Sequence, residues 1–262
     1  MGATSAIEWT DATWNPVTGC TKISPGCKFC YAERLATRLQ AMGNPRYRNG
    51  FAVTLHPDQL ELPLRWRAPK RVFVNSMSDL FHEQVPMEYV DRVFDVMRRA
   101  PQHIFQVLTK RADRLVLWHR GGPEMKPIPH NVWMGVSVES IRYAWRVDRL
   151  RQVAAAVRFI SAEPLLGPLA ALDLHGISWL IAGGESAGSQ RRSLIEMIGG
   201  QPQPKPEACS WLLDLRDLCA REGVAFFFKQ WGGRTPKAGG RTLDGQEWSQ
   251  YPAAAAAVDN SR

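Results

Sequence analysis

Three cysteines lie close together near the start of the sequence, in the segment CTKISPGCKFC. Cys20, Cys27 and Cys30 have the spacing C-x6-C-x2-C, and Pro25-Gly26 predicts a turn before the second thiol. Soft thiolates in a tight loop suit an iron–sulfur cluster or zinc. A structural zinc usually takes four ligands in two separated pairs, and the sequence has no second pair. We favour a 4Fe–4S cluster with one open iron, and zinc or unliganded thiols remain alternatives.

The other two cysteines have a different context. The chain holds five cysteines, and an odd number argues against a disulfide framework. Cys219 falls on the same predicted helical face as Leu212 and Leu215, so we interpret it as a core residue. Cys209 has no metal-like partner nearby in the sequence, and we interpret it as structural too.

Short apolar segments alternate with helical ones from residue 71 onwards. Taking Ser76, Thr109, Ser137, Ser161 and Gly183 as markers, the steps are 33, 28, 24 and 22 residues, the length of a βα unit. Such alternation predicts an α/β fold with a parallel sheet, in the form of a full or partial (β/α) TIM-like barrel. The cysteine loop precedes it.

The domain organisation follows from where this rhythm holds. We predict a single barrel domain over residues 1–235, with 188–206 as a lid or insertion loop because it is rich in Gly, Pro and Gln. Residues 236–262 form a C-terminal extension whose low-complexity tail is expected to be disordered.

Two helices are predicted by apolar stripes. The first follows the cysteine loop and ends near Gly43, and its stripe is Tyr31, Leu35, Leu39 and Met42. The second lies within 89–100, and its stripe is Val90, Val93, Phe94 and Met97.

Acidic residues follow three successive predicted strands. Parallel strands of a barrel share one mouth at their carboxyl ends, where active sites form. Glu139, Glu163 and Glu185 therefore predict a functional pocket, although any one of them could be a helix cap. Basic residues predicted at the same edge are interpreted as contacts to an anionic substrate: Lys110, Lys229 and Arg191. For Lys229 a solvated strand end is the alternative.

The composition is that of a basic globular chain. Lys and Arg number 33 against 25 Asp and Glu, which gives a net charge of +8. This charge is compatible with a nucleic-acid partner, although the positive residues are spread along the chain as in an ordinary basic enzyme. No apolar run suggests a membrane span or a signal peptide, so we expect a cytoplasmic protein. Trp9, Trp14 and Trp231 are interpreted as core or barrel-end residues, with base stacking as the alternative.

Several segments, taken in order, carry a family resemblance: IEWTDATWNPVTGC, PGCKFCYAE, VNSMSDLFHE, LTKR, GVSVE, AEPLLGP, IAGGES and FFFKQWG. Over residues 5–235 they resemble a phage-associated family of uncharacterised proteins. That family is similar to radical S-adenosylmethionine (radical SAM) proteins near spore photoproduct lyase and the DNA repair photolyase group. The resemblance implies a lyase or transferase that cleaves S-adenosylmethionine reductively at a 4Fe–4S cluster, giving a 5′-deoxyadenosyl radical.

The resemblance also implies partners and site residues. The substrate would be a nucleic acid or nucleotide, and the reductant a protein such as flavodoxin or ferredoxin, with no membrane involved. Cys20, Cys27 and Cys30 would hold the cluster, and Lys110 matches a strand-end lysine of the photolyase group. We expect Lys110 to act at the substrate together with Lys229, which is assigned from its strand-end position alone. The implied cofactor-binding residues are Phe29, beside the adenine; Ser76, Met77, Ser78 and Asp79, at the methionine amino group; and Ser137, Glu139 and Glu163, at the ribose or methionine. Gly183, Gly184 and Glu185 are expected to bind the cofactor because they end a predicted strand, and the resemblance does not assign them that role.

Two features differ from the usual superfamily pattern. The first gap between cysteines is six residues where three is usual, and Gly183-Gly184-Glu185 lies on a late strand instead of an early one. These glycines are expected to let the backbone approach a ligand closely. Two other functions remain open: a radical SAM enzyme acting on a peptide or small molecule, and a non-catalytic zinc-stabilised binding protein.

Overall fold

Seven parallel strands form the central sheet of the computed structural model, which describes residues 5–122, 124–185, 192–233 and 238–253. The strands are β1 (Ala12–Trp14), β2 (Arg71–Val74), β3 (Ile104–Thr109), β4 (Val132–Ser137), β5 (Val157–Ala162), β6 (Trp179–Gly183) and β7 (Ala225–Gln230). They neighbour one another in chain order, and every pair is parallel. The sheet curls into a half-barrel, so the predicted α/β fold with a partial TIM-like barrel is confirmed.

The strands read as apolar runs because both faces of the sheet are buried. All six residues of β4 are buried, for example. On the concave face of the sheet, Trp9 packs in a buried cluster. It contacts Phe73 and Trp179, with ring centroids 4.6 and 6.1 Å away. Gly135 leaves room there for the Phe159 ring, since a Cβ would lie 2.4 Å from it. Trp9, Trp14 and Trp231 are at most 2% exposed, as the core interpretation requires.

In the described residues five α-helices accompany the sheet: α1 (Tyr31–Ala41), α2 (Met87–Arg99), α3 (Ala112–Arg120), α4 (Trp145–Arg151) and α5 (Pro206–Arg221). The predicted stripe of α2 is buried at all four positions, and the core face of α5 includes Leu212, Leu215 and Cys219. Within the described ranges, no helix is both long and apolar enough to cross a membrane.

The apolar stripe that predicts α1 is mostly exposed, and of its four residues Leu39 packs against a buried cluster. Tyr31, Leu35 and Met42 are 43%, 41% and 68% exposed. The buried face consists of Ala32 and Ala36, which pack with Tyr47 and Met77. The buried face of α1 has small side chains because the helix packs closely against the segment that follows β2.

Three short antiparallel pairs complete the described structure. Val17–Thr18 pairs with Thr54–Leu55, Ile195–Ile198 with Gln201–Pro204, and Thr242–Leu243 with Gln246–Glu247. The second pair falls in the segment predicted to be a lid, of which 188–191 lie outside the described residues. Residues 254–262 of the predicted tail also lie outside the described residues.

The C-terminal segment runs along the outer edge of β7. The Phe228 amide donates to the Trp248 carbonyl at 2.9 Å, and the Gln250 amide to the Phe226 carbonyl at 3.1 Å. Tyr251 packs on Trp179 with ring centroids 5.2 Å apart. The edge of β7 is therefore covered by the chain's own C-terminal part.

Candidate functional site

The cysteine loop lies across the carboxyl ends of the central strands. The Gly19 amide donates to the Met77 carbonyl at 3.0 Å, after β2. Cys20 contacts Arg111, after β3, with Nη1 and Sγ 3.7 Å apart. Gly26 faces Glu139, after β4, so closely that a Cβ would lie 3.2 Å from the Glu139 carboxyl carbon. The loop thus covers the mouth at which strand-end residues meet.

Gly19 fixes the position of the first cysteine. Its φ of +85° lies in the left-handed region, and a Cβ would stand 2.2 Å from the Ala52 carbonyl oxygen. The next amide, that of Cys20, donates to the Phe51 carbonyl at 3.2 Å. Only glycine satisfies both conditions, so the start of the loop is set by the backbone.

The three thiols of the loop are free and partly exposed. Burial, with a further contribution from Asp79, raises the pKa of Cys20 to about 11, although Arg111 opposes this. Burial alone would raise the pKa of Cys27, but Lys110, with hydrogen bonds from Ile23 and Ser24, outweighs it and lowers that pKa. Both thiols are therefore within reach of a cationic strand end.

The geometry bears on which metal group the thiols fit. Within the described residues, no three His, Cys, Asp or Glu side chains converge on a point where one ion could bind. In an iron–sulfur cube each thiolate binds its own iron, so the three sulfurs stand apart around the cube. Accessible thiols on one loop over the mouth are compatible with that arrangement.

Arg111 connects the first cysteine to the strands below it. Its Nε lies 3.0 Å from Glu83 Oε1, and its Nη2 donates to the Thr21 hydroxyl at 2.9 Å. Thr21 also contacts His82 Nε2 at 2.8 Å. The side chain of Arg111 is only 4% exposed. Sequence reasoning missed this residue, although it directly follows Lys110 in the segment LTKR.

Asp79 is bound by protein donors. Its carboxylate accepts from the Thr109 hydroxyl at 2.7 Å and from the Lys110 amide at 3.0 Å, and Arg111 Nη1 lies 3.6 Å away. These contacts tie the end of β2 to the end of β3. The role that the structure shows for Asp79 is thus to position the strand ends.

The other residues of the segment 76–79 contact the N-terminal part of the chain. The Ser76 hydroxyl and the Met77 amide both donate to Asn15 Oδ1, at 3.2 and 2.9 Å. The Ser78 hydroxyl donates to the Val17 carbonyl at 2.9 Å. The Tyr31 hydroxyl donates to the Ser76 carbonyl. The segment therefore holds β1 and the start of α1 against the mouth.

Two strand ends meet the cysteine loop from below. Lys110 Nζ donates to the Ser137 hydroxyl at 3.2 Å. Glu139, fully buried, has Oε2 2.8 Å from Arg146 Nη1, while its Oε1 has no hydrogen-bond partner. Since this oxygen faces Gly26, an acceptor lacking a donor lies directly beneath the loop.

Glu163 and Lys229 form an ion pair across the mouth. Glu163 Oε1 and Lys229 Nζ are 3.0 Å apart, and the side chains are 13% and 15% exposed. Lys229 stands at a β-bulge of β7, where the pairing shifts between Phe228 and Gln230, and a bulge re-aims a side chain. Neither sequence interpretation of Lys229 foresaw the pairing, because a bulge leaves no clear mark in the sequence. Gly183 lies beside the pair, and a Cβ there would be 3.2 Å from Glu163 Oε1.

Glu185 and Arg192 connect β6 to the cysteine loop. Glu185 Oε1 and Arg192 Nη2 form an ion pair at 3.1 Å. The Arg192 guanidinium lies over the Phe29 ring, 5.2 Å from its centroid. Burial raises the pKa of Glu185, and Arg192 opposes that rise. The neighbouring Arg191 lies outside the described residues.

Gly184 permits a close backbone approach, but to the chain itself. A Cβ at Gly184 would lie 2.0 Å from the Trp231 carbonyl oxygen. The glycine is thus required by the packing of β6 against the end of β7.

Unsatisfied acceptors decide whether the mouth suits S-adenosylmethionine. A buried oxygen without a donor is rare in folded proteins and often marks the site of a missing ligand. Glu139 Oε1 is such an oxygen, and it lies beneath Gly26 of the cysteine loop. S-adenosylmethionine carries an ammonium group, two ribose hydroxyls and an amino group on the adenine, all of them donors. The residues present therefore fit the group.

Comparison with solved structures supports the fold. Spore photoproduct lyase complexed with dinucleoside spore photoproduct is similar with a TM-score of 0.51 and 12% identity, over 87% of this chain and 78% of that one. A double mutant of that enzyme with bound AdoMet and the same dinucleoside is similar with a TM-score of 0.51 and 11% identity. The match covers 88% of this chain and 79% of that one. A point mutant of the same enzyme is similar with a TM-score of 0.51 and 10% identity, over 88% of this chain and 79% of that one.

Comparison by sequence gives one family. The family described as "Protein of unknown function (DUF5131)" matches residues 4–252. No curated protein matches the chain.

Proposed function

The chain belongs to this family of proteins of unknown function, and we propose that it is a radical SAM enzyme acting on a nucleic acid or nucleotide. The observation that carries the proposal is the position of Cys20, Cys27 and Cys30 over the mouth of the half-barrel. The similarity in fold to spore photoproduct lyase supports it. An association with phage, implied by the sequence resemblance, stays a prediction.

Each group of residues has a proposed task. The three thiolates would hold a 4Fe–4S cluster, and Glu139 and Glu185 would accept hydrogen bonds from S-adenosylmethionine beside Phe29. When bound, these groups supply one-electron cleavage of the sulfonium, which gives a 5′-deoxyadenosyl radical. Ser76, Met77, Ser78, Asp79 and Ser137 would shape the pocket, as would Gly183 and Gly184.

The protein's own contribution is binding and orientation. Arg111 would hold Cys20 in place, and the cysteine loop would exclude water from the mouth. Lys110 and the Glu163–Lys229 pair would meet the substrate, since they lie on the strand ends beside the loop. A small acidic redox protein such as flavodoxin or ferredoxin would supply the electron.

The proposal is tested by anaerobic reconstitution with iron and sulfide. We expect a brown protein with about four irons per chain that releases 5′-deoxyadenosine from S-adenosylmethionine under dithionite. Changing Cys20, Cys27 or Cys30 to alanine should abolish both results. Cys209→Ala is the matched control, because Cys209 is a partly exposed thiol of α5 outside the segment CTKISPGCKFC, and should keep both.

Other outcomes separate the alternatives. A colourless protein with one tightly bound zinc would support the zinc-stabilised binding protein and contradict the proposal. A brown protein that cleaves S-adenosylmethionine but does not bind DNA or RNA in a salt-dependent manner would favour a peptide or small molecule as substrate.

A further inference from the structure

A second cleft opens on the outer side of the cysteine loop. Its volume is about 380 Å³, within the range of roughly 300–1,000 Å³ that is usual for ligand clefts. Pro25 and Lys28 form one wall, and the start of α5 forms the other. The floor is apolar and is made of Leu165, Leu166, Leu194 and Ala208.

The rim of this cleft is cationic. Lys28, Arg192 and Lys205 line it, against one acidic residue, Glu207. Arg192 also pairs with Glu185, with Nη2 and Oε1 3.1 Å apart, so Lys28 and Lys205 supply most of the positive charge of the rim. No side chain caps α5 at Lys205, and Glu207 and Ala208 of its first turn line the same cleft. Such a rim suits an anion.

One wall adds an aromatic surface. Trp211 of α5 borders the cleft beside the cationic residues. A phosphate alone would use only the cations, and an apolar ligand only the floor and the indole. Cations, an apolar floor and an aromatic ring together fit a phosphate ester that carries a flat base.

A larger cleft elsewhere lacks this character. Its volume is about 570 Å³, and it lies between α2 and residues 57–65. Its charges neutralise one another, because Arg99 pairs with Glu61 and Asp95, each at 3.5 Å, and Asp91 with Lys126 at 2.6 Å. The smaller cleft is therefore the better anion site.

We propose that the cleft beside the cysteine loop binds a nucleotide that flanks the reacting one in a single-stranded nucleic acid. Lys28, Lys205 and Arg192 contact its phosphate, and its base lies against Trp211. The inference rests on the proposed function and narrows it, because a substrate that fills both the mouth and this cleft must extend over more than one nucleotide.

The test measures, by fluorescence anisotropy, how tightly the cluster-loaded protein binds a short, fluorescein-labelled single-stranded oligodeoxynucleotide. Lys28→Ala and Lys205→Ala should each weaken binding about twofold to fivefold. Each should also lower the salt slope of log affinity by about 0.7, as expected for one lost phosphate contact on a single strand. Arg98→Ala, an exposed position on α2, is the matched control and should change neither quantity.

Competition identifies the ligand. A mononucleotide should displace the labelled strand at much lower concentration than inorganic phosphate does. Equal displacement by both would overturn the nucleotide assignment, and unchanged affinity in the Lys28/Lys205 double variant would overturn the site. Iron content and 5′-deoxyadenosine release without substrate should match the unsubstituted protein in all variants. A loss of cluster in the unsubstituted protein would instead count against the proposed function.

Discussion

Arg111 Nη1 lies 3.7 Å from the sulfur of Cys20. The gap of six residues after Cys20 makes the loop long, and a long loop needs a tether to keep its first thiol in place. Arg111 is that tether, since Asp79 and Glu83 hold its guanidinium from the strand side.

Arg111→Lys should weaken retention of the cluster about tenfold, as is typical when an outer-shell partner is lost. Lysine keeps the charge but cannot contact Cys20, Thr21 and Glu83 at once, because it lacks the planar fork. The measurement is iron retained per chain during titration with a chelator. Arg120→Lys, at the exposed end of α3, should retain iron normally. Equal retention by both variants would contradict the tether.

Gly19→Ala should destabilise the protein and lower its iron content. Alanine at φ +85° costs about 1–2 kcal/mol, and the clash with the Ala52 carbonyl should add roughly 1–3 kcal/mol. Gly43→Ala is a matched control: φ is +71° there, but no atom lies within 4 Å of the added Cβ. It should cost about 1 kcal/mol in urea unfolding and leave iron binding intact. A similar cost for both would show that the clash is relieved.

Glu163 and Lys229 should show energetic coupling. Either Glu163→Gln or Lys229→Ala leaves a largely buried charge unpaired, whereas the double variant leaves none. A double-mutant cycle by urea unfolding should give an interaction free energy of roughly 0.5–3 kcal/mol. Besides this loss of stability, Lys229→Ala should keep the cluster and weaken substrate handling. Loss of cluster in this variant would refute its place at the substrate.

Glu185 should make stability depend on pH. Because burial raises its pKa in the folded state, the folded protein holds this proton more tightly than the unfolded chain does. The stabilisation is complete below the unfolded pKa of about 4.3 and is lost as pH rises through the higher folded pKa. The free energy of unfolding of Glu185→Gln should therefore fall less over that window. Parallel pH profiles for the two proteins would contradict this.

Much of the fold can be predicted from patterns that are directly visible in the sequence. The strand-end residues Ser137, Glu139, Glu163 and Glu185 could be located because apolar runs and βα spacing mark the strands. β1 escaped notice, since three residues between Asp11 and Asn15 are too short for a periodic signal. The apolar stripe of α1 does not mark most of its buried face, because small residues carry no apolar signal, yet Ala32 and Ala36 are buried there.

For the candidate site, the sequence predicts which residues lie at the strand ends but not which side chains they pair with. The pairing of Glu139 with Arg146 and that of Glu185 with Arg192 depend on loop paths that no local pattern records. The resemblance alone assigns Asp79 to the cofactor, whereas its contacts with Thr109, Lys110 and Arg111 join segments that meet only in three dimensions.

The segment around Trp248 and Gln250 has a consequence for handling the protein. It occupies the backbone groups of a strand that carries Phe226, Phe227 and Phe228 in a row. A shortened chain that stops before residue 248 would present that strand as a bare template to other molecules, and it should self-associate into precipitate when expressed.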